Sequence, residues 1–227
     1  MTKRRSEIPM IHEDPSHSLK LMHIIKVFEQ QNPHPKIELV YTNPFTLVVA
    51  VLLSAQATDK LVNRVTHDLF QMIHTPEDVV AMGLNALTEA VRRINYYRNK
   101  AKYIFALSQK LIEHHQSIVP NTREALMTLP GIGRKSANVI LGALYDKPYI
   151  PVDTHVFRVT QRIGICKGKT PEEIEQQLDR LTPDAYKSRI GGWFVLHGRY
   201  ICKAKNPLCN TCPLKAWCDY YHTVVKG

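Results

Sequence analysis

The sequence predicts an all-α protein, and three observations support this prediction. Apolar residues recur at the three- and four-residue spacing of amphipathic helices, prolines separate the helical segments, and no strand-like alternation or internal repeat is found. The strongest strand candidate is YIPVDTHVFRV (149–159), because it is rich in β-branched residues. Asp153 nevertheless suits the N-cap of a helix THVFRVTQRI (154–163), and we favour that helix.

The first three helices are predicted from their apolar patterns. SLKLMHIIKVFEQ (18–30) has one apolar face, and PFTLVVAVLLSAQ (44–56) is apolar nearly all round, which is typical of a central buried helix. TDKLVNRVTHDLFQMI (58–73) begins with Thr58 or Asp59 as its N-cap.

Two later helices follow from the same reasoning. NKAKYIFALSQKLI (99–112) turns a stripe of alanine, isoleucine and leucine inward. TPEEIEQQLDRL (170–181) opens with a capping box of Thr170 and Glu173, and we interpret this helix as scaffold.

The segment LPGIGRKSANVILG (129–142) joins a glycine turn to a helix that begins with Arg134 and Lys135. Lys135 lies about half a turn from the middle of the apolar stripe, so its side chain points away from the core. The free N–H groups after Gly131 and Gly133 make an anion site, and we expect this turn to bind a phosphate together with Arg134. The alternative is an ordinary helix–helix turn with a solvated lysine.

The charge balance points to a polyanionic partner. Lys and Arg number 30 against 20 Asp and Glu, which suits nucleic acid or an anionic membrane. The longest apolar run (45–55) is too short to span a bilayer, so we expect no membrane partner. Residues 1–16 are charged without an apolar core, which indicates a disordered basic extension and not a secretory signal.

Four of the five cysteines lie in one short segment, which favours a reducing cytoplasm over an oxidised secreted framework. Their spacing, C-x6-C-x2-C-x5-C, is one continuous wrap, which favours a [4Fe–4S] cluster and leaves zinc as an alternative. Lys203 and Lys205 lie between the first two ligands, so a metal would hold a basic, phosphate-contacting loop rigid. The four candidate ligands are Cys202, Cys209, Cys212 and Cys218.

Several motifs together resemble the endonuclease III family, the bifunctional DNA glycosylases and AP lyases of the helix-hairpin-helix superfamily. LPGIGRK places Lys135 eighteen residues before Asp153 of VDTHVFR, and HGRYIC leads into the four-cysteine segment. NPHP, AVLLSAQATD and LHGRY are also similar to the family. The likeness runs from about residue 18 to the C-terminus.

The resemblance implies two helical lobes with a DNA-binding groove between them. A six-helix domain with the helix-hairpin-helix would span residues 37–147. An iron–sulfur lobe would combine residues 17–36 with 148–227 and hold the [4Fe–4S] cluster. Lys135 and Asp153 would lie at the mouth of the groove.

The activity that the resemblance implies is base excision repair. The enzyme would remove oxidised pyrimidines from damaged double-stranded DNA and cleave the strand at the abasic site through a Schiff base. We expect a monomer without a nucleotide cofactor, in a bacterial-type cytoplasm and associated with the nucleoid. The sequence does not rank the oxidised pyrimidines and abasic sites as substrates.

Lys135 and Asp153 are the implied catalytic pair. A Schiff base needs a neutral amine, and a helix N-terminus and the adjacent Arg134 both disfavour the ammonium form. Asp153 would accept a proton from Lys135 and balance positive charge on the sugar. The alternative role of Asp153 is a plain N-cap.

Two side chains are implied to fill the hole that an extruded nucleotide leaves. Gln56 matches the family glutamine of SAQAT. In the second loop Tyr96 falls at the wedge position, and Asn95 replaces the usual glycine, so the opposite-base preference stays open. Tyr97 has the alternative role of packing on the helix that follows.

The sequence leaves two alternative functions. A monofunctional adenine glycosylase of the same superfamily would lack the hairpin lysine and would use a glutamate near Ala50. Here Lys135 is present, and no glutamate occurs between Glu38 and Glu77. A non-catalytic, zinc-bearing DNA-binding module would need neither Lys135 nor an acid partner.

Overall fold

The computed structural model describes residues 15–226, within which every regular element is a helix, so the all-α prediction is confirmed. The helix preferred over a strand after Asp153 is present. Within this range none of the helices is both long and apolar enough to cross a membrane. The α-helices are α1 Pro15–Gln31, α2 Pro44–Ser54, α3 Asp59–Met72, α4 Pro76–Met82, α5 Leu84–Ala90, α6 Tyr97–His115, α7 Arg123–Met127, α8 Arg134–Tyr145, α9 Thr154–Ile163, α10 Pro171–Leu181 and α11 Asp184–Tyr200.

Three short helical turns follow α11. Two are 3₁₀ turns, Cys209–Thr211 and Lys215–Trp217, and the last is a π-helical turn, Tyr221–Val225. The first two lie within the four-cysteine segment. This segment is therefore built of tight turns and not of one continuous helix.

Two features of the described chain differ in detail from the expected layout, while the division into domains stays a prediction. Residues 1–14 of the predicted extension lie outside the described residues, but Pro15 and Ser16 already belong to α1. Between residues 37 and 147 the chain forms seven helical segments where the resemblance implies six. Gly83 has a φ of +80°, and it both ends α4 and begins α5. The apolar patterns in the sequence did not predict the helices α4, α5, α7 and α11.

α2 is the centre of one apolar cluster, which extends from Leu39 to Leu141. Asn43 caps α2 through a reciprocal capping box with Thr46, and Pro44 occupies the first helical position. Every residue from Phe45 to Leu53 is buried, because α3, α6 and α8 pack around this helix. The prediction of a central buried helix is confirmed.

A second apolar cluster joins the two ends of the chain. It contains buried residues of α1 together with α9, α10, α11 and Leu214. The Trp193 indole N–H donates to the Asn32 carbonyl at 2.7 Å, which ties α11 to the end of α1. The chain passes from the second cluster to the first after α1, and it returns after α8.

The capping box predicted for α10 is only half formed. The Thr170 hydroxyl accepts from the Glu173 N–H at 3.2 Å, as predicted. The Glu173 carboxylate accepts from the Lys169 N–H at 2.7 Å and not from the N–H of the cap residue. The chain before Thr170 therefore folds back closer to the helix than the motif alone requires.

Candidate active site

A cavity of about 320 Å³ lies between the two apolar clusters. The α2–α3 turn and α8 line it from the side of the first cluster, through Gln56 and Lys135. Asp153 at the start of α9 and Arg199 of α11 line it from the side of the second cluster. The cavity therefore brings three of the predicted site residues, Gln56, Lys135 and Asp153, onto one surface.

Lys135 is held at the open start of α8. The N-cap, Gly133, offers no side-chain acceptor, and the first intrahelical bond runs from the Ala137 N–H to the Gly133 carbonyl at 2.9 Å. The N–H groups of residues 134–136 therefore have no acceptor within the helix. Ala137 is buried and Lys135 is exposed, as the apolar stripe predicted.

Glycine stands at the two hairpin positions for different physical reasons. Gly131 has a φ of +81°, and a Cβ there would lie 2.9 Å from the Cβ of Tyr103. Gly133 has a φ of −93°, and a Cβ there would meet nothing within 4 Å. Gly131 is therefore required by the fold, whereas Gly133 leaves open space in front of the α8 N–H groups.

Arg134 is not the free cation that the sequence suggested. Its guanidinium donates two hydrogen bonds to Glu175 of α10, at 3.1 and 2.9 Å. Glu175 also accepts from the Asn138 amide at 3.1 Å. The Glu175 carboxylate therefore compensates the charge of Arg134 next to Lys135. The same contact gives α10 a role beyond that of scaffold, since it ties the hairpin to the second cluster.

Asp153 is an N-cap and a cavity residue at the same time. Its Oδ1 accepts from the N–H groups of His155 and Val156 at 2.8 and 2.9 Å. Within residues 15–226, Oδ2 of Asp153 accepts no hydrogen bond. The two alternatives posed by the sequence are therefore compatible, because one oxygen can hold the helix while the other faces the cavity.

Asp59 is a site residue that the sequence analysis considered only as a possible cap. Thr58 is the cap of α3, and Asp59 lines the cavity at the first helical position. Burial raises the pKa of Asp59 and nearby Asp153 raises it further, whereas His155 and Lys135 lower it. The sequence signal that could have identified Asp59 as a site residue is its position directly after SAQAT.

Arg199 joins the two sides of the cavity. Its guanidinium contacts the Asp59 carboxylate at 2.7 Å and also pairs with Glu38. Glu38 in turn accepts a hydrogen bond from the Tyr200 hydroxyl. Arg199 lies on α11, which packs in the second cluster, so this network links the two clusters beside Lys135 and Asp153.

Tyr96 lies outside the cavity but is connected to it. Its side chain is 65% exposed and its backbone has a φ of +60°. The Asn95 amide donates to the Gln56 carbonyl at 3.0 Å, so the two loops are in contact. Tyr97 packs partly buried against the first apolar cluster, as its alternative role required.

The four cysteines line a second, small cavity together with Leu214 and His197. Among the described residues, no group of three or more His, Cys, Asp or Glu side chains is arranged to hold a metal ion. Arg162 donates to the Cys202 sulfur at 3.6 Å and to the Lys203 carbonyl at 2.7 Å. Lys203 and Lys205 are both exposed on this loop.

Comparison with known proteins identifies the class. Residues 49–184 match the model of the HhH-GPD superfamily base excision DNA repair proteins. This match covers more than half of the chain. The chain therefore belongs to the HhH-GPD superfamily of base excision DNA repair proteins.

Individual relatives narrow the class further. The chain is 49% identical to endonuclease III of Rickettsia conorii over 87% of its own length and 94% of that protein. It is 42% identical to endonuclease III of Haemophilus influenzae, over 90% of its own length and 97% of that protein. A solved structure of a trapped endonuclease III–DNA covalent intermediate matches with a TM-score of 0.85 and 41% identity, over 89% of this chain and 96% of that one. The resemblance drawn from the motifs is confirmed.

Proposed function

We propose that this chain is a bifunctional DNA glycosylase that removes oxidised pyrimidines from duplex DNA and cleaves the strand at the resulting abasic site. The observation that carries the proposal is the presence of Lys135 and Asp153 on one cavity between the two apolar clusters. The family supports action on DNA. A similar structure, that of a trapped endonuclease III–DNA covalent intermediate, supports a covalent step.

Base excision begins with the Lys135 amine in its neutral form. The Nζ lone pair forms a bond to the sugar C1′, the C1′–base bond breaks, and the base leaves with its electron pair and gains a proton. Asp153 balances positive charge on the sugar and accepts the proton that the amine loses.

Strand cleavage follows from the same covalent bond. The nitrogen lone pair forms a C1′=N bond while the C1′–O4′ bond breaks and O4′ takes up a proton. The resulting Schiff base acidifies the C2′ hydrogens. A base removes one C2′ proton, the electrons form a C2′–C3′ double bond, and the 3′ phosphate leaves. Water then hydrolyses the Schiff base and regenerates the Lys135 amine. We assign the transfer of these protons to Asp153, which lines the same cavity as Lys135.

We assign the DNA to the groove between two lobes, one of residues 37–147 and one of residues 17–36 with 148–227. The α8 N–H groups and the exposed Lys203 and Lys205 would bind phosphates. Gln56 and Tyr96 would fill the space left by the extruded nucleotide. The monomeric state, the lack of a nucleotide cofactor and a cytoplasmic, nucleoid-associated location stay predictions from the sequence.

We assign a [4Fe–4S] cluster to the four cysteines. Their single continuous spacing favours such a cluster over zinc, which usually binds two separated pairs. All four thiols line one shared cavity, which supports a common group. When bound, the cluster would cross-link residues 202–218, and Arg162 would hold the Lys203 end of that loop.

Metal analysis tests the cofactor assignment. Protein purified without oxygen should be brown and contain about four irons per chain. Cys212→Ser should lose the iron and lower the melting temperature, whereas Cys166→Ala, a buried thiol outside the set, should keep the iron. Stoichiometric zinc without iron or sulfide would contradict the assignment and support the alternative of a zinc-bearing module.

Borohydride trapping tests the activity. Duplex DNA with one oxidised pyrimidine should yield a covalent protein–DNA adduct after reduction, and an undamaged duplex of the same sequence should yield none. Excision of a mismatched adenine without any adduct would support the monofunctional alternative. Binding without excision or adduct on any damaged duplex would refute the proposal.

A further inference from the structure

The turn between α2 and α3 holds Gln56 in an unusual conformation. Gln56 has a φ of +54° although it is not glycine, and its side chain is exposed. The Ala57 N–H donates to the Ser54 carbonyl at 3.1 Å, which closes the turn. A non-glycine residue in this region persists only where the surroundings hold it in place. The question is which groups do so.

Lys100 is the first of these groups. It lies in the first turn of α6 and is 6% exposed. Its ammonium donates to the Leu53 carbonyl at 2.8 Å and to the Ala55 carbonyl at 2.5 Å. Burial lowers the pKa of Lys100, and no carboxylate contributes to that pKa. The charge is therefore placed at the negative end of α2, on carbonyls next to Gln56.

Asn95 is the second group. Its amide donates to the carbonyl of Gln56 itself at 3.0 Å. The next residue, Tyr96, has a φ of +60°, is 65% exposed and immediately precedes α6. Gln56 and Tyr96 are therefore both exposed and both in left-handed backbone conformation. Asn95 joins their two loops directly, and Lys100 binds the carbonyls that precede Gln56.

We infer that Lys100 and Asn95 are positioning residues that join Gln56 and Tyr96 into one rigid, two-pronged wedge. The inference rests on the proposed function, because a wedge is needed only where a nucleotide is extruded from duplex DNA. A wedge that is already ordered loses less conformational freedom on insertion, so more of the binding energy is available for extrusion. Asn95 then supplies a contact between the two loops that a glycine at this position could not make.

The expected effect separates duplex DNA from single strands. Lys100→Met keeps the length of the side chain but removes both hydrogen bonds. It should slow excision from duplex DNA by about tenfold or more, since small misplacements of positioning groups have large effects. It should leave cleavage of a preformed abasic site in single-stranded DNA nearly unchanged, because nothing has to be extruded there. Lys102→Met, an exposed lysine of the same helix, is the matched control.

Asn95→Ala is a milder second variant that does not depend on a buried group. It should lower excision from duplex DNA less than Lys100→Met does, and Asn99→Ala, an exposed asparagine nearby, should have no effect. A 2-aminopurine placed opposite the lesion should brighten when wild type binds, because its neighbours unstack. The brightening should be weaker with both positioning variants.

A double-mutant cycle decides between positioning and simple stability. If Lys100 acts through the wedge, Lys100→Met should cost little more once Tyr96→Ala has removed a prong. Additive losses, or equal losses on duplex and single-stranded substrates that follow the melting temperature, would overturn the inference. Absence of excision by wild type on every damaged duplex would instead refute the proposed function, so the two failures are distinguishable.

Discussion

The helices that begin next to Lys135 and Asp153, α8 and α9, start in opposite ways. α8 begins at Gly133 without any side-chain cap, so its first N–H groups are open. α9 begins at Asp153, whose Oδ1 accepts from two of the first N–H groups. Both starts face the same cavity.

This difference shows that a helix N-terminus can serve two purposes. An uncapped start keeps its donors for an external anion such as a phosphate. A capped start uses its donors internally, and in doing so it fixes the position of the carboxylate that caps it. Substitutions at the two starts should therefore separate DNA binding, covalent chemistry and stability from one another.

The largest effect is expected at Lys135. Lys135→Ala should fold and bind damaged DNA normally, because the side chain is exposed and faces away from the buried side of α8. It should form no borohydride-trapped adduct, since it lacks the amine that forms the Schiff base. Trapping assays and thermal melts on the purified variant check this. A variant that still forms the adduct would show that another amine is the nucleophile.

Asp153→Asn should have the next largest effect. The asparagine oxygen can still cap α9, so the melting temperature should change little. Base excision should fall by about 10²–10⁴-fold, because an amide neither accepts the proton nor balances a cationic sugar. Cleavage of a preformed abasic site should suffer less. If the melting temperature falls steeply and excision per folded molecule is unchanged, Asp153 is only a cap.

Alanine substitutions at the two hairpin glycines should have different effects, one on stability and the other on DNA binding. Gly131→Ala should destabilise the fold by about 1–2 kcal/mol through its positive φ, with a further cost from the contact with Tyr103. Gly133→Ala should melt like wild type but weaken binding to all DNA sequences, since its methyl group lies before the open N–H groups. Melting curves and binding titrations on both variants measure this. Equal melting temperatures would contradict the assignment of Gly131 to the fold.

The smallest effect is expected on the basic loop between Cys202 and Cys209. Lys205→Ala should reduce the slope of log affinity against log salt by about 0.9, the value for one neutralised phosphate. Lys26→Ala, at an exposed lysine of α1, is the control for a general change of charge. A Lys205 variant that keeps the full slope but loses discrimination among lesions would mean that the loop reads bases.

Local features of the site were predictable from the sequence. Asp153 precedes a helical pattern, so its capping bonds to the next turn involve only residues two and three positions away. Lys135 lies opposite an apolar stripe, so its exposure follows from helical geometry alone. The glycine turn before α8 and the burial of α2 follow in the same way, because each depends on spacing within one short segment.

The arrangement of the wedge and the pairing of Arg134 could not be predicted in this way. Lys100 looks like any helical lysine, and only the packing of α6 on α2 buries it against carbonyls about 45 residues away in the chain. Arg134 looks like a free cation until α10 brings Glu175 to it. The sequence by itself determined the amphipathic helices with clear apolar stripes, several of their caps and the exposure of Lys135, because these depend on near neighbours. Only the tertiary structure decided which charges are neutralised and which loops are joined, because those depend on groups that packing brings together from distant parts of the chain.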